Sequence, residues 1–333
     1  MNEKLLYLKS WFTSIYINLI GDKNFDFKQI LVIKLDEIGD MVTAMHVFYN
    51  LHNAYPNAQI TVVCKPFNFI FFKYLPYVRC IRDIPSKNDF YDLIIDLRGN
   101  NKSVKYALEN RPKYRLDRGK IRIFNKFSGG QKNEILTNLE VIKPLLKEQI
   151  STENSLVISS KEKIKIDKFL VANEIAQYAV LHLGARDESR RWPVERFAEC
   201  IDYLNNKFNI SCILAGGEDD DLTNQKCLNM VDKAKNYNVV GKFDLLEFYE
   251  LCFRSDLFLG NESGPLHIAA SAKTKCIALF GPGVKNVFYP LGKNVKIHHY
   301  FLKKNHKKQT IKNSTIFRIS VNEVKESIDT LLK

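Results

Sequence analysis

The stretch LGNESGPLHIAASAKTKCIALFGP at 259–282 sets a polar knot, Asn261-Glu262-Ser263-Gly264-Pro265, between two apolar runs. A helix that starts there presents unpaired backbone N–H groups and a positive dipole end, which together attract an anion. Gly264 lets that anion approach the backbone. Pro265 tolerates the first helical turn, and Ser263 adds a hydroxyl. Phosphate binding is one reading. The other is a plain helix start, with Ser263 as N-cap, Gly264 for turn geometry and His267 packed on the helix. In ARDESRRWPVERF (185–197), Arg186, Arg190 and Arg191 follow a strand-like run. Guanidinium groups grip phosphate in a planar fork; a solvated basic loop is the competing reading. LDEIGD (35–40) holds three acids around one glycine. It is neither a G-x-G-x-x-G fingerprint nor a P-loop. Asp40 then either caps the following helix or acts as a general base.

Strand-like runs precede each of these turns. QILVIKL (29–35) is continuously apolar up to its lysine, as a buried parallel strand requires. MVTAMHVFYNLHNAYP (41–56) has helical spacing, AQITVVCKP (58–66) reads as the next strand, and YDLIIDLRGN (91–100) is a strand running into a turn. The stretch 111–165 is basic, less regular and poor in long apolar runs. The alternation restarts with YAVLHLGA (178–185), a helix over 193–208 beginning at Pro193, and NISCILAGGEDD (209–220). Segments at 238–243, 245–256, 257–263, 265–273 and 276–282 continue it, and SVNEVKESIDTLLK (320–333) is an amphipathic helix with Ser320 and Glu323 in capping-box spacing. Two Rossmann-like α/β domains in series, joined near 160–175, are expected to face a cleft. Ligands then sit at the carboxyl ends of the strands.

The 333 residues suffice for two domains, and 45% apolar with 26% charged residues is globular composition. Seven cysteines without a CxxC pair read as small core residues of a reducing compartment, and no metal-ligand spacing is visible. The net charge of +13, with a local run Lys303-Lys304-Asn305-His306-Lys307-Lys308, argues for an anionic partner. No nucleic-acid-binding motif accompanies it. KLLYLKSWFTSIYINLIG (4–21) is too polar and short for a membrane span and lacks a cleavage site. Its apolar residues fall near one helical face, which either lies on a membrane surface or packs on the protein's own body.

Taken in order, these segments resemble the heptosyltransferases of glycosyltransferase family 9, which assemble the lipopolysaccharide core. KLDEIGDMVTAMHVF matches the family's strand, LGD turn and helix, and YDLIIDLRGN its second strand motif. RRWP (190–193) matches KRWP, GGEDD (216–220) the GGxxD/E turn, ESGPLHIAA (262–270) the D-[ST]-G-x-x-H-x-A-A element, and ISVNEV (319–324) the closing helix start. The resemblance spans about 29–333. It implies a GT-B fold with an N-terminal acceptor domain (29–165), a C-terminal nucleotide-sugar domain (176–318), a closing helix (319–333) and an added extension (1–28). It further implies inverting, metal-independent transfer from a nucleotide-activated heptose, usually ADP-heptose, with no cofactor. The acceptor would be an anionic glycolipid, met at the cytoplasmic face of the inner membrane. By this resemblance Asp40 is the catalytic base. Ser263, Gly264 and His267 hold the leaving diphosphate, Arg186 and Arg190 contact the donor, Glu218 contacts ribose or adenine, and Glu262 faces the donor. Arg98 and Asn100 fall to the acceptor.

The chain departs from the family where Glu262 replaces Asp, Arg190 replaces Lys, Pro265-Leu266 replaces Leu-Ser, and Asp36 and Glu37 add charge beside Asp40. That extra charge is expected to raise the Asp40 pKa. Two other readings stand beside heptosyl transfer: the same fold using another nucleotide sugar for O-antigen or capsule, and a non-catalytic polyanion-binding protein.

Overall fold

Consecutive apolar residues build the centre of each sheet. In the computed structural model, which describes residues 3–21, 25–86, 89–127, 132–147, 149–154, 156–282, 285–300 and 314–333, the chain divides into two units, 1–157 and 158–333. The Lys303–Lys308 run lies outside the described residues. Among those described, the first unit has a five-stranded parallel sheet: β1 (Gln29–Ile33), β2 (Gln59–Val63), β3 (Val78–Ile81), β4 (Leu93–Asp96) and β5 (Tyr114–Asp117). The order β3-β2-β1-β4-β5 reverses between β1 and β4, so their carboxyl ends form the switch-point crevice of an open α/β sheet.

Among the described residues the helices of this unit are, in sequence, α1 (Glu3–Ile20), α2 (Ile38–Val42), α3 (Met45–Ala54), α4 (Asn101–Asn110), α5 (Gly119–Phe127) and α6 (Glu134–Ile142). The single helix expected over 41–56 is two. The chain turns at Thr43-Ala44, where the Thr43 hydroxyl donates to the Asp40 carbonyl at 2.8 Å and draws the local bonding away from a continuous helix. The stretch that read as irregular, 111–165, holds β5, α5 and α6 in this unit. Their short, charge-interrupted apolar pattern hid them.

α1 packs on the body of the first unit. Its Ser10, Thr13, Ser14 and Ile17 are buried. Arg115 on β5 is fully buried and donates to the Ser10 carbonyl (2.8 Å), the Ser14 hydroxyl (2.6 Å) and Asp96 (3.1 Å).

Among the described residues, the second unit repeats the architecture with a six-stranded parallel sheet: β6 (Tyr178–His182), β7 (Ser211–Ala215), β8 (Asn236–Asn238), β9 (Leu257–Asn261), β10 (Cys276–Phe280) and β11 (Val295–His299). Its order, β11-β10-β9-β6-β7-β8, reverses between β6 and β9. The helices are α7 (Ser160–Ala172), α8 (Val194–Phe208), α9 (Asp221–Leu228), α10 (Leu245–Arg254), α11 (Gly264–Ser271), α12 (Lys285–Phe288) and α13 (Val321–Leu332). The region expected to join the domains, 160–175, is largely α7, capped by a Ser159–Glu162 box. Ser320 and Glu323 form the expected capping box of α13. That helix sinks Val324 and Ile328 into the core shared with Trp192, Phe197 and Ile201. Trp192 locks the start of α8 by donating its indole N–H to the Ile319 carbonyl at 3.0 Å.

Candidate active site

In the first unit, the lysine that ends the apolar β1 run decides the site. Lys34 is fully buried. Its ammonium lies 3.1 Å from Asp36 and 3.4 Å from Glu134 on α6. The Asp36 contact is at ion-pair distance without the alignment of a hydrogen bond. Arg118 and Arg122 each donate to the other Glu134 oxygen at 2.8 Å. Burial pushes the Glu134 carboxyl up, but Arg118 and Lys34 outweigh it and hold the group below its ordinary value.

Asp40, on α2 just past this network, is compensated less fully. Burial raises its pKa; Lys34 and, more weakly, Arg118 oppose the rise, while Asp36 and Glu134 reinforce it. The expected effect of Asp36 is present but secondary to desolvation. Such a carboxylate takes a proton more readily than an ordinary aspartate. Asp40 sits in the first turn of α2, and the backbone N-cap of that helix is Glu37. Glu37 pairs with Lys65.

Arg98 follows β4, on the other side of the same switch point. It reaches Asp36 at 2.5 Å, so it shares the Asp40 neighbourhood while remaining largely exposed. The Asp96 carboxylate knots this turn by accepting from the N–H groups of Arg98 (3.1 Å) and Gly99 (2.6 Å). Asn100 caps α4: its side chain accepts from the Ser103 N–H at 2.8 Å within a capping box.

The second unit gathers its groups at the β6/β9 switch point. Ser263 occupies the N-cap position of α11, yet its side chain makes no capping bond. Its hydroxyl lies 3.2 Å from His182 Nδ1 and 3.1 Å from the Asn261 carbonyl. The other ring nitrogen of His182 is 3.4 Å from Asp220. Burial pushes the Asp220 carboxyl up, but His182 and the Gly217 N–H bring it below its usual value. Gly184 and Gly216 make this approach possible, because a Cβ on either would overlap the Asp220 side chain.

Beside this row, Arg190 donates to the buried Glu262 at 2.9 Å. Two of the departures from the family pattern, Arg190 and Glu262, therefore meet in one ion pair. Gly264 and Pro265 form the first turn of α11, and His267 is buried on it. Arg186 and Glu218 are exposed on the loops after β6 and β7. Asn261 ties the loops together: its side chain accepts from the Trp192 N–H (3.1 Å) and donates to the Leu183 carbonyl (2.7 Å). Among the described residues, no group of three or more His, Cys, Asp or Glu side chains is arranged to hold a metal ion.

Residues 86–316 match the model of glycosyltransferase family 9 (heptosyltransferase). The chain belongs to that family. It is 24% identical over 271 residues to lipooligosaccharide heptosyltransferase 2 of Campylobacter jejuni, covering 74% of this chain and 78% of the relative. Its fold is shared with a family 9 glycosyltransferase of Veillonella parvula (TM-score 0.75, 19% identity, 93% of this chain and 98% of the other). It is also shared with the ADP-heptose lipopolysaccharide heptosyltransferase II of Escherichia coli (TM-score 0.71, 20% identity, 91% and 98%). The GT-B fold expected from sequence is therefore the fold of this glycosyltransferase.

Reading the glycosyltransferase from sequence passed over five groups that structure brings to its two switch points: Lys34, Arg118, Glu134, His182 and Asp220. A lysine ending a buried strand and a histidine ending another were visible signals. Glu134 and Arg118 gave none, because they lie in the stretch whose elements were hidden. In the GGEDD turn the sequence reading singled out Glu218, whereas Asp220 is the acid that turns back onto His182.

Proposed function

We propose that this glycosyltransferase moves heptose from ADP-heptose to an anionic acceptor of the lipopolysaccharide core and lipid A type, with inversion and without a metal ion. The acceptor is met at the cytoplasmic face of the inner membrane. The desolvated carboxylate of Asp40 carries the reading, because it has the raised basicity that deprotonating a sugar hydroxyl requires. Asp40 takes the acceptor proton as the hydroxyl oxygen bonds to the anomeric carbon. The bond from that carbon to the diphosphate oxygen breaks on the opposite face, which inverts the centre.

The departing diphosphate gathers negative charge, and fixed donors stabilise such charge without reorganisation. Arg190, the Ser263 hydroxyl and the first turn of α11 at Gly264 fill that role, with His267 behind them. Arg186, Glu218 and Glu262 complete the donor side; Arg98 and Asn100 serve the acceptor. The resemblance to the Campylobacter heptosyltransferase supports heptose, and that to the ADP-heptose heptosyltransferase of Escherichia coli supports ADP-heptose.

Asp40→Ala and Asp40→Asn should lower the transfer rate by about 10²–10⁴-fold, while calorimetric affinity for ADP stays within twofold. Turnover within twofold of wild type removes Asp40 as the base. Titrating ADP, UDP, GDP and CMP separates donors: selective binding of UDP keeps the reaction type and discards ADP-heptose. EDTA should leave the rate unchanged; a loss restored by magnesium contradicts the metal-free step.

A further inference from the structure

α1 is built inside out for a water-soluble surface helix. An ordinary helix of that kind turns its apolar stripe to the core and its polar residues to solvent. Here the body-facing side is Ser10, Thr13, Ser14 and Ile17; the Ser10 and Ser14 hydroxyls accept from the buried guanidinium of Arg115, and the Thr13 hydroxyl donates to the Lys9 carbonyl. The apolar side faces outward: Leu5 is 56% exposed, Phe12 59% and Leu19 74%, with Leu8, Ile15 and Ile20 also exposed. These positions recur at helical spacing along one stripe. Trp11 carries the patch onto α5, where its ring meets the exposed Phe124 edge-on at 6.1 Å. A run this long has no folding reason to stay in water, since the polar face already anchors the helix.

Charge decides between occupants. After Glu3, α1 has no acidic residue, and Lys4 and Lys9 are exposed along it. A groove of about 380 Å³ runs beside its second half, lined by Trp11, Ile15, Leu19 and Leu116, with Lys120 among the lining groups; Asp117, also in the lining, is buried against Arg115 and neutralised by it. Apolar and aromatic residues bordered by lysines match the boundary between acyl chains and anionic headgroups. A second copy of the chain fits less well: the stripe is roughly 27 Å long and about 10 Å wide, far below the roughly 800 Å² per partner of a stable dimer. Among the described residues no helix is long and apolar enough to cross a membrane.

We propose that the outer face of α1, continued by Phe124 and the Lys120 groove, docks the glycosyltransferase on an anionic lipid surface. The helix lies in the headgroup plane, held to the body by Arg115 and to the lipid by its outward stripe. This surface is separate from the residues assigned to the reaction, and it stands whether or not heptose is the sugar transferred.

The test uses the full chain and vesicles that contain no glycolipid acceptor, so that lipid docking is read apart from transfer. Wild type should co-sediment with vesicles of phosphatidylcholine with 30% phosphatidylglycerol, and about tenfold less with phosphatidylcholine alone. Phe12→Glu with Leu19→Glu should weaken sedimentation at least about tenfold with an unchanged melting temperature and ADP affinity. Lys4→Glu with Lys9→Glu should remove the preference for the anionic vesicles. Failure of wild type to bind, or equal binding by the Phe12/Leu19 variant, overturns the proposal. So does a wild-type dimer in sedimentation velocity that the same variant dissociates, since a second copy then covers the stripe.

Discussion

A lysine buried at the end of β1 is worth keeping only if its charge is answered; Asp36 and Glu134 answer it, and Glu134 also answers Arg118 and Arg122. Removing this acid leaves three cations close together, with Asp36 alone beside Lys34 and no acid for Arg118 and Arg122. Glu134→Gln should therefore cost about 3–5 kcal/mol of stability, measured by urea unfolding at pH 7. The folded Glu134 carboxyl lies below its ordinary value, so its contribution is present above the unfolded pKa of about 4.3 and fades as pH falls through the lower folded value. The variant should lose most of its deficit in that acid window; a deficit constant with pH contradicts the charge argument.

Asp40 has the opposite sign. Its raised folded pKa means that ionisation opposes folding, so stability is lost as pH rises through the folded value. Asp40→Asn should melt higher than wild type at pH 8, and the gain should shrink towards pH 4. The wild-type transfer rate should fall on the acid side as Asp40 gains its proton. An inactive variant that is also more stable is the expected trade between a working base and a relaxed fold.

At the scale of elements, each switch point is assembled by turns that approach closely. The loops after β6, β7 and β9 bring His182, Asp220 and Ser263 into a row, and the bare backbones of Gly184 and Gly216 leave room for the Asp220 carboxylate. Gly184→Ala forces that carboxylate away from His182. The strain should cost about 1–3 kcal/mol, and ADP affinity should fall several-fold while the pH dependence set by Asp40 keeps its midpoint. Unchanged ADP affinity would separate this row from the donor. β1, β6 and the helix α13 were legible because continuous apolar runs and a capping box are local patterns. The break between α2 and α3 was not, since it depends on where the Thr43 hydroxyl finds an acceptor.

On the scale of the whole molecule, two units share one architecture, and the closing helix belongs to the second. Val324 and Ile328 are fully buried there. Ile328→Ala should cost about 2–5 kcal/mol, seen by calorimetry as a lower temperature for the transition that ADP raises. If the variant lowers a transition on which ADP has no effect, α13 does not support the nucleotide-binding unit.

Sequence alone determined that there are two parallel α/β units, the turns that end their strands, and the family, because strand periodicity, glycine and proline placement and short ordered motifs are properties of neighbouring residues. It also placed Asp40 and the Ser263-Gly264 turn at strand ends. Tertiary structure decided the rest. Glu134 reaches Lys34 across a hundred residues, and Asp220 rather than Glu218 turns inward. The same holds for α1: its stripe was visible in sequence, but the direction it faces depends on Arg115, a distant residue on β5 whose buried charge drew the helix's hydroxyls inward and left its leucines outside.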